Sequence, residues 1–163
     1  VTPKSLLRHK RAVSSLSEMT KGTTFKTVIP ETDTSIAPHN VKRVILCTGK
    51  VYYDLLEHRE AGNIKDAVII RLEQLYPFPK ESLQIEMQKY PNAERVIWCQ
   101  EEPENMGAWH FLDRKLEQML VEANHTCNRP VYAGRAEAAS PATGYLKRHN
   151  QEQKALVVQA FTV

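Results

Sequence analysis

From Val41 onward, short apolar runs alternate with stretches in which apolar residues recur every three or four positions, and this alternation restricts the possible folds more than any other feature of the chain. Val41 and Val44 to Cys47 form a run that stops at Thr48-Gly49, which predicts a buried strand followed by a turn. Val51, Tyr52, Leu55 and Leu56 then recur at helical spacing up to Gly62-Asn63, a helix stop. The cycle repeats. Ala67 to Leu72 reads as a second strand, Tyr76-Pro77-Phe78-Pro79 as a rigid connection, and Leu83, Met87 and Tyr90 as one helical face ending at Pro91. A strand at Val96 to Cys99, a loop from Gln100 to Gly107, a helix marked by Trp109, Leu112, Leu116 and Leu120, and a strand at Val131 to Ala133 follow. Tyr145, His149, Leu156 and Ala160 mark a last helix. Strands alternating with helices of this length are the signature of parallel βαβ units with right-handed crossovers, so the expected product is an α/β fold, a three-layer sandwich.

Residues 1–40 behave differently, with Pro3, Pro30 and Pro38, polar clusters such as Thr32-Asp33-Thr34-Ser35, and one β-prone run from Phe25 to Ile29. They read as a lead-in arm before a domain at 41–163. The chain opens on Val, and Val1-Thr2-Pro3 resembles the end of a strand whose beginning is missing, so a fragment of a longer protein is expected. No apolar run approaches the roughly 18 residues needed to cross a bilayer, and no signal-peptide pattern is present, so no membrane association is expected. The balance of 22 Lys and Arg against 19 Asp and Glu falls short of a nucleic-acid surface; only Lys4, Arg8, Lys10 and Arg11 are locally basic, without interleaved aromatics. Cys47, Cys99 and Cys127 are odd in number and far apart, which argues against a disulfide framework or zinc ribbon and for a reducing compartment.

In an open parallel sheet, ligands meet the loops at the carboxyl ends of the strands. The first such loop, Thr48-Gly49-Lys50, could offer an amide and an ammonium to an anion, yet it lacks both GxxxxGK[ST] and GxGxxG. In the second, Glu101 and Glu102 are adjacent in an extended segment and point to opposite faces, which makes them poor paired acids. An ion pair across an interface, acceptance of backbone amides at the next helix start, and a solvated acidic turn all remain open for them. The third, Gly134-Arg135 through Ser140 to Gly144, leads into a helix carrying Lys147, Arg148 and His149, and could hold a phosphate or carboxylate; close packing of small residues beside solvated cations explains it equally. The six histidines are scattered, no GxSxG occurs, and no catalytic or metal-binding constellation converges.

Several blocks are nevertheless distinctive: Thr2-Pro3-Lys4-Ser5-Leu6-Leu7-Arg8-His9, Cys47 to Leu55, Arg71-Leu72-Glu73-Gln74-Leu75-Tyr76-Pro77-Phe78-Pro79, Trp98 to Pro103 with Asn105, Gly107 and Trp109, and Tyr132-Ala133-Gly134-Arg135 with Ser140-Pro141-Ala142-Thr143-Gly144. Collinear over nearly the whole chain, they resemble the carboxyl-terminal domain of the 2-oxoglutarate dehydrogenase E1 family, of a bacterial type. The resemblance implies a transketolase C-terminal type of domain: a mostly parallel five-stranded sheet in order 1-3-2-4-5, with an antiparallel first strand near residues 25–29.

Family E1 enzymes are homodimers that use thiamine diphosphate and Mg²⁺ to decarboxylate 2-oxoglutarate in the tricarboxylic acid cycle and succinylate the lipoyl group of the E2 succinyltransferase, in a complex that also contains E3. The location implied is cytoplasmic in bacteria and the mitochondrial matrix in eukaryotes. The thiamine-binding domains precede this one in the family, so the resemblance implies no catalytic, cofactor or metal residue here, an inactive isolated fragment, and a structural, dimer-completing and regulatory role. It also places Gly49, Lys50, Gln100, Glu101 and Glu102 in one crevice or interface at the topological switch point, and suggests an effector or anion site at Lys50, Arg135, Ser140, Lys147 and Arg148. The alternatives are a stand-alone nucleotide or anion-binding module and the same domain of a 2-oxoadipate dehydrogenase.

Overall fold

Five strands built largely from Val, Ile and Leu pair into one sheet. The computed structural model describes residues 3–163; Val1 and Thr2, the latter opening one of the distinctive blocks, lie outside the described residues. The strands are β1 (Val28–Ile29), β2 (Arg43–Cys47), β3 (Ala67–Leu72), β4 (Arg95–Pro103) and β5 (Val131–Arg135). Their order is β1-β3-β2-β4-β5, with β1 antiparallel to β3 and every other pairing parallel, as expected. Four helices connect or follow them: α1 (Val51–Ala61), α2 (Lys80–Met87), α3 (Trp109–Glu122) and α4 (Leu146–Thr162).

The two-residue period of the strands divides the core in two. Val44, Leu46, Val68, Ile70, Val96 and Trp98 face α2 and α3, where Leu83, Met87, Leu112 and Leu116 meet them. Ile45, Cys47, Ile69, Ile97 and Cys99 face the other way, onto Val51 and Leu55 of α1 and Leu156 and Phe161 of α4. Strands apolar on both faces need helices on both, and the result is a three-layer α/β/α sandwich.

Several boundaries differ from the sequence reading: β5 runs on through Gly134 to Arg135, read as loop, α2 ends at Met87 before Tyr90, and three further differences have identifiable causes. β1 is two residues long, because Phe25 is exposed and only Val28 and Ile29 find partners, Leu72 and Arg71. β4 runs on through Gln100, Glu101 and Glu102 to Pro103, where a loop was expected; its register against β5 shifts between Cys99 and Pro103. Gln100 and Glu101 occupy strand positions there because their side chains find partners at the end of the sheet, while the Glu102 side chain is exposed. The last helix begins at Leu146, with Tyr145 in extended conformation before it.

Residues just before β2 also enter the core. Ile36 and Val41 are buried, and Glu31 forms a buried ion pair with Arg59 of α1. Glu31 Oε2 also accepts the Ile69 amide of β3 at 2.9 Å.

Candidate functional site

β2 and β4 are neighbours, and the chain leaves them for opposite faces of the sheet, which makes their carboxyl ends the switch point. Gly49, at φ +68°, turns the chain out of β2 and sets Lys50 just ahead of α1. Lys50 forms an ion pair with Glu101 at the far end of β4. Gln153 of α4 joins them, donating to Glu101 Oε1 at 2.9 Å and to Asp54 Oδ2 at 2.8 Å. Arg135, at the end of β5, donates to the Glu101 carbonyl at 2.6 Å and to Gln153 Oε1 at 3.0 Å, and its NH2 lies 3.2 Å from His149 Nδ1.

Glu152 closes the cluster. It lies 3.1 Å from Arg135 Nε and 2.8 Å from Arg148 Nε, and it accepts the Thr143 hydroxyl. That hydroxyl first, then the Arg148 hydrogen bond and the charges of Arg148 and Arg135, hold the Glu152 carboxyl below the usual carboxylate range. Lys50, Arg135 and Arg148 therefore meet Asp54, Glu101 and Glu152, three cations against three carboxylates.

Of the five residues suggested for an anion, Arg135, Ser140 and Arg148 line one cavity of about 510 Å³ between the β5–α4 loop and α4. Lys50 lines a separate pocket of about 190 Å³ with His9, His149 and Gln153. Lys147 is exposed on α4 and lines neither cavity. Ser140 Oγ donates within its own loop, to the Ala142 carbonyl at 3.3 Å. The five are thus split between two cavities and solvent, and two of the three grouped in one cavity already hold a carboxylate.

Gln100 and Glu102 project to the other face of the sheet, beside Thr48, Leu75, Trp98 and Phe111, around a cavity of about 320 Å³. Gln100 is 2% exposed. Its Oε1 accepts from Trp98 Nε1 (2.9 Å), Ala108 N (3.1 Å) and Trp109 N (3.0 Å). Its Nε2 donates to the carbonyls of Met106 (2.7 Å), Pro103 (3.2 Å) and Glu102 (3.3 Å). The amides at the start of α3 are accepted by this neutral carboxamide, not by the neighbouring carboxylates. Gly107 makes room for it: its φ is +66°, and a Cβ there would lie 2.8 Å from Gln100 Nε2.

Sequence reasoning missed Asp54, Thr143, Glu152 and Gln153. A signal existed for Gln153, four residues after His149 and so on the same helical face. Asp54, 99 residues from Gln153, had none. Among the described residues no group of three His, Cys, Asp or Glu side chains is placed to hold a metal ion, and no helix is long and apolar enough to cross a membrane.

With this geometry in place, comparison with known proteins gives the following. The family model described as 2-oxoglutarate dehydrogenase C-terminal matches residues 13–161. Proteins named 2-oxoglutarate dehydrogenase E1 component are 49% identical over 161 residues in Cupriavidus necator, 50% over 162 in Haemophilus influenzae and 51% over 161 in Rickettsia prowazekii. Each alignment covers 99% of this chain but only 16%, 17% and 17% of the respective relative. Among solved structures, a split gene transketolase in an inactive β4 tetramer superposes with a TM-score of 0.47 at 15% identity, covering 74% of this chain and 37% of that one.

Proposed function

The chain belongs to the 2-oxoglutarate dehydrogenase C-terminal family, and from that premise we propose that it is the terminal domain of a longer E1 enzyme that decarboxylates 2-oxoglutarate. The observation that carries this reading is identity near 50% along the entire chain to bacterial E1 components. In the proposed assembly the domain completes a homodimer and supports the entrance to an active site built by preceding domains. E2 and E3 are the partners of the complex, and the bacterial cytoplasm its location.

The residues of this chain do not fit thiamine diphosphate. A Mg²⁺-diphosphate group needs converging oxygen ligands and uncompensated donors, whereas the switch-point cations are already matched by Asp54, Glu101 and Glu152. No catalytic step is therefore assigned to Lys50, Arg135 or their neighbours. The balanced cluster supports a buttressing role: Lys50, Glu101, Gln153 and Arg135 tie the ends of β2, β4 and β5 to α4. The same balance weighs against a stand-alone anion-binding module. Retained effector activation in a Lys147→Ala, Arg148→Ala variant of the longer enzyme would remove the anion site there altogether.

The test is the mass of the whole gene product together with thiamine diphosphate-dependent decarboxylation of 2-oxoglutarate and 2-oxoadipate by that product and by this 163-residue chain. Turnover of 2-oxoglutarate by a longer product and none by this chain is expected. A gene product of this length, or a longer product inactive on 2-oxoglutarate, would overturn the reading.

A further inference from the structure

Residues 3–27 carry six Lys and Arg against the single Glu18, while the remainder of the chain is net negative. The segment touches the domain on one side: Arg11 pairs with Glu60 at 2.6 Å, and the His9 ring lies 4.8 Å from that of Tyr53. Lys4, Arg8 and Lys10 form no ion pair among the described residues, although they line, with Arg11 and with Tyr53 and Glu57 of α1, a cavity of about 560 Å³ between the segment and the domain. Most Lys and Arg side chains among the described residues do pair with a carboxylate, whereas these three cations share a cavity with Glu57 and pair with none.

The same segment is rich in uncovered apolar side chains. Leu7, Val13, Leu16, Met19 and Phe25 are 66–81% exposed, five of the twelve exposed large apolar side chains among the described residues. Apart from the Thr27 carbonyl, which accepts the Glu73 and Gln74 amides, its backbone bonds close only short local turns, such as Leu6 N to the Pro3 carbonyl and Ala12 N to the His9 carbonyl. An extended segment that buries so little apolar surface needs a surface to lie on.

We propose that residues 3–27 form a docking strap for an acidic surface with apolar pockets, carried by the part of the longer polypeptide outside this chain. This rests on the reading of the chain as a terminal domain. The length available fits, since the relatives are about six times as long. A free phosphate would use the cations and leave Leu7, Val13 and Leu16 in water. A membrane surface favours an amphipathic helix, and this segment has only 3-10 turns at Lys4–Leu6 and Leu16–Met19.

Amide hydrogen exchange of residues 3–27, measured in the whole gene product and in the 163-residue chain, tests the strap. Exchange about tenfold or more slower in the longer product is expected. The difference should shrink at about 0.5 M NaCl, where surface charge is screened. It should also shrink in a Lys4→Glu, Arg8→Glu, Lys10→Glu variant and in a Leu7→Ser, Leu16→Ser variant whose Tm as isolated chains is unchanged. Equal exchange in the two proteins overturns the proposal. So does protection that arises in the isolated chain on self-association, on adding pyrophosphate, or on adding anionic vesicles. Decarboxylation is read separately: an active product with a freely exchanging arm sinks the strap alone, and a protected arm in an inactive product sinks the substrate reading alone.

Discussion

At the scale of single residues, Gln100 carries more of the local structure than any charged neighbour. Its carboxamide supplies the cap that Ala108 lacks, so truncation strands two backbone amides and the Trp98 indole N–H away from water. Gln100→Ala should lower unfolding stability by about 3 kcal/mol, read from the urea midpoint, and a loss under about 1 kcal/mol would contradict the account. The cysteines give a second residue-scale expectation. Burial first, then the neighbouring Cys99, pushes the Cys47 thiol up; burial, then the Glu101 charge, pushes Cys99 up to about 12. Both are fully covered, whereas Cys127 is partly exposed. An aromatic disulfide reagent should titrate one thiol in native protein and three in denaturant. The burial of Cys47 and Cys99 was legible, since each ends an apolar strand run, but the role of Gln100 was not. A Gln in a polar stretch reads as loop, and only the folded chain shows six partners around it.

At the scale of elements, the loop bearing Glu31 and Asp33 holds α1 to the sheet. Arg59 has a side chain 3% exposed and Glu31 one 7% exposed, so removing either leaves a buried charge unmatched. Glu31→Ala should cost about 3 to 5 kcal/mol by denaturant unfolding, and a near-neutral result would show the pair to be dispensable. Asp33 adds a pH dependence. The Ser35 hydroxyl, then the Ser35 amide and Lys65, lower its carboxyl from the ordinary 3.8 to about 2. A carboxyl lowered in the folded state stabilises above its unfolded value and loses that contribution as pH falls from about 4 to about 2. Asp33→Asn should flatten the urea midpoint across that window, and an unchanged slope would show that other groups govern it. Elements with continuous apolar runs, β2 and β3, were legible in the sequence because both faces of each strand are buried. The end of β4 was not, and β1 was legible as a β-prone run but not in its two-residue length, because pairing in both places depends on contacts from distant segments.

For the whole molecule, both apolar faces share one sheet, and neither pair of helices has another surface to bury against. Trp98 and Trp109 report the α2–α3 face, while far-ultraviolet circular dichroism reports all four helices. The two signals should therefore unfold in a single coincident transition, and a gap between the midpoints would divide the sheet into independent units. The sheet order was anticipated through family resemblance, since apolar periodicity establishes parallel βαβ units without fixing which strand lies beside which. The resemblance could also place the ends of β2 and β4 together. It could not show that Asp54, Glu152 and Gln153 would complete and neutralise the cluster.

The bond from the Ile69 amide to Glu31 has a meaning for life in a crowded solution. β1 covers only the Arg71–Leu72 end of β3, so Ile69 presents its amide at the rim of the sheet, where the carbonyl of a foreign strand could be received. Glu31 fills that place from within the same chain, and Arg59 holds the carboxylate there. The carboxylate thus acts as a guard against strand recruitment: without it the rim would be open to a neighbouring molecule, and a chain that is still largely folded could begin to assemble edge to edge.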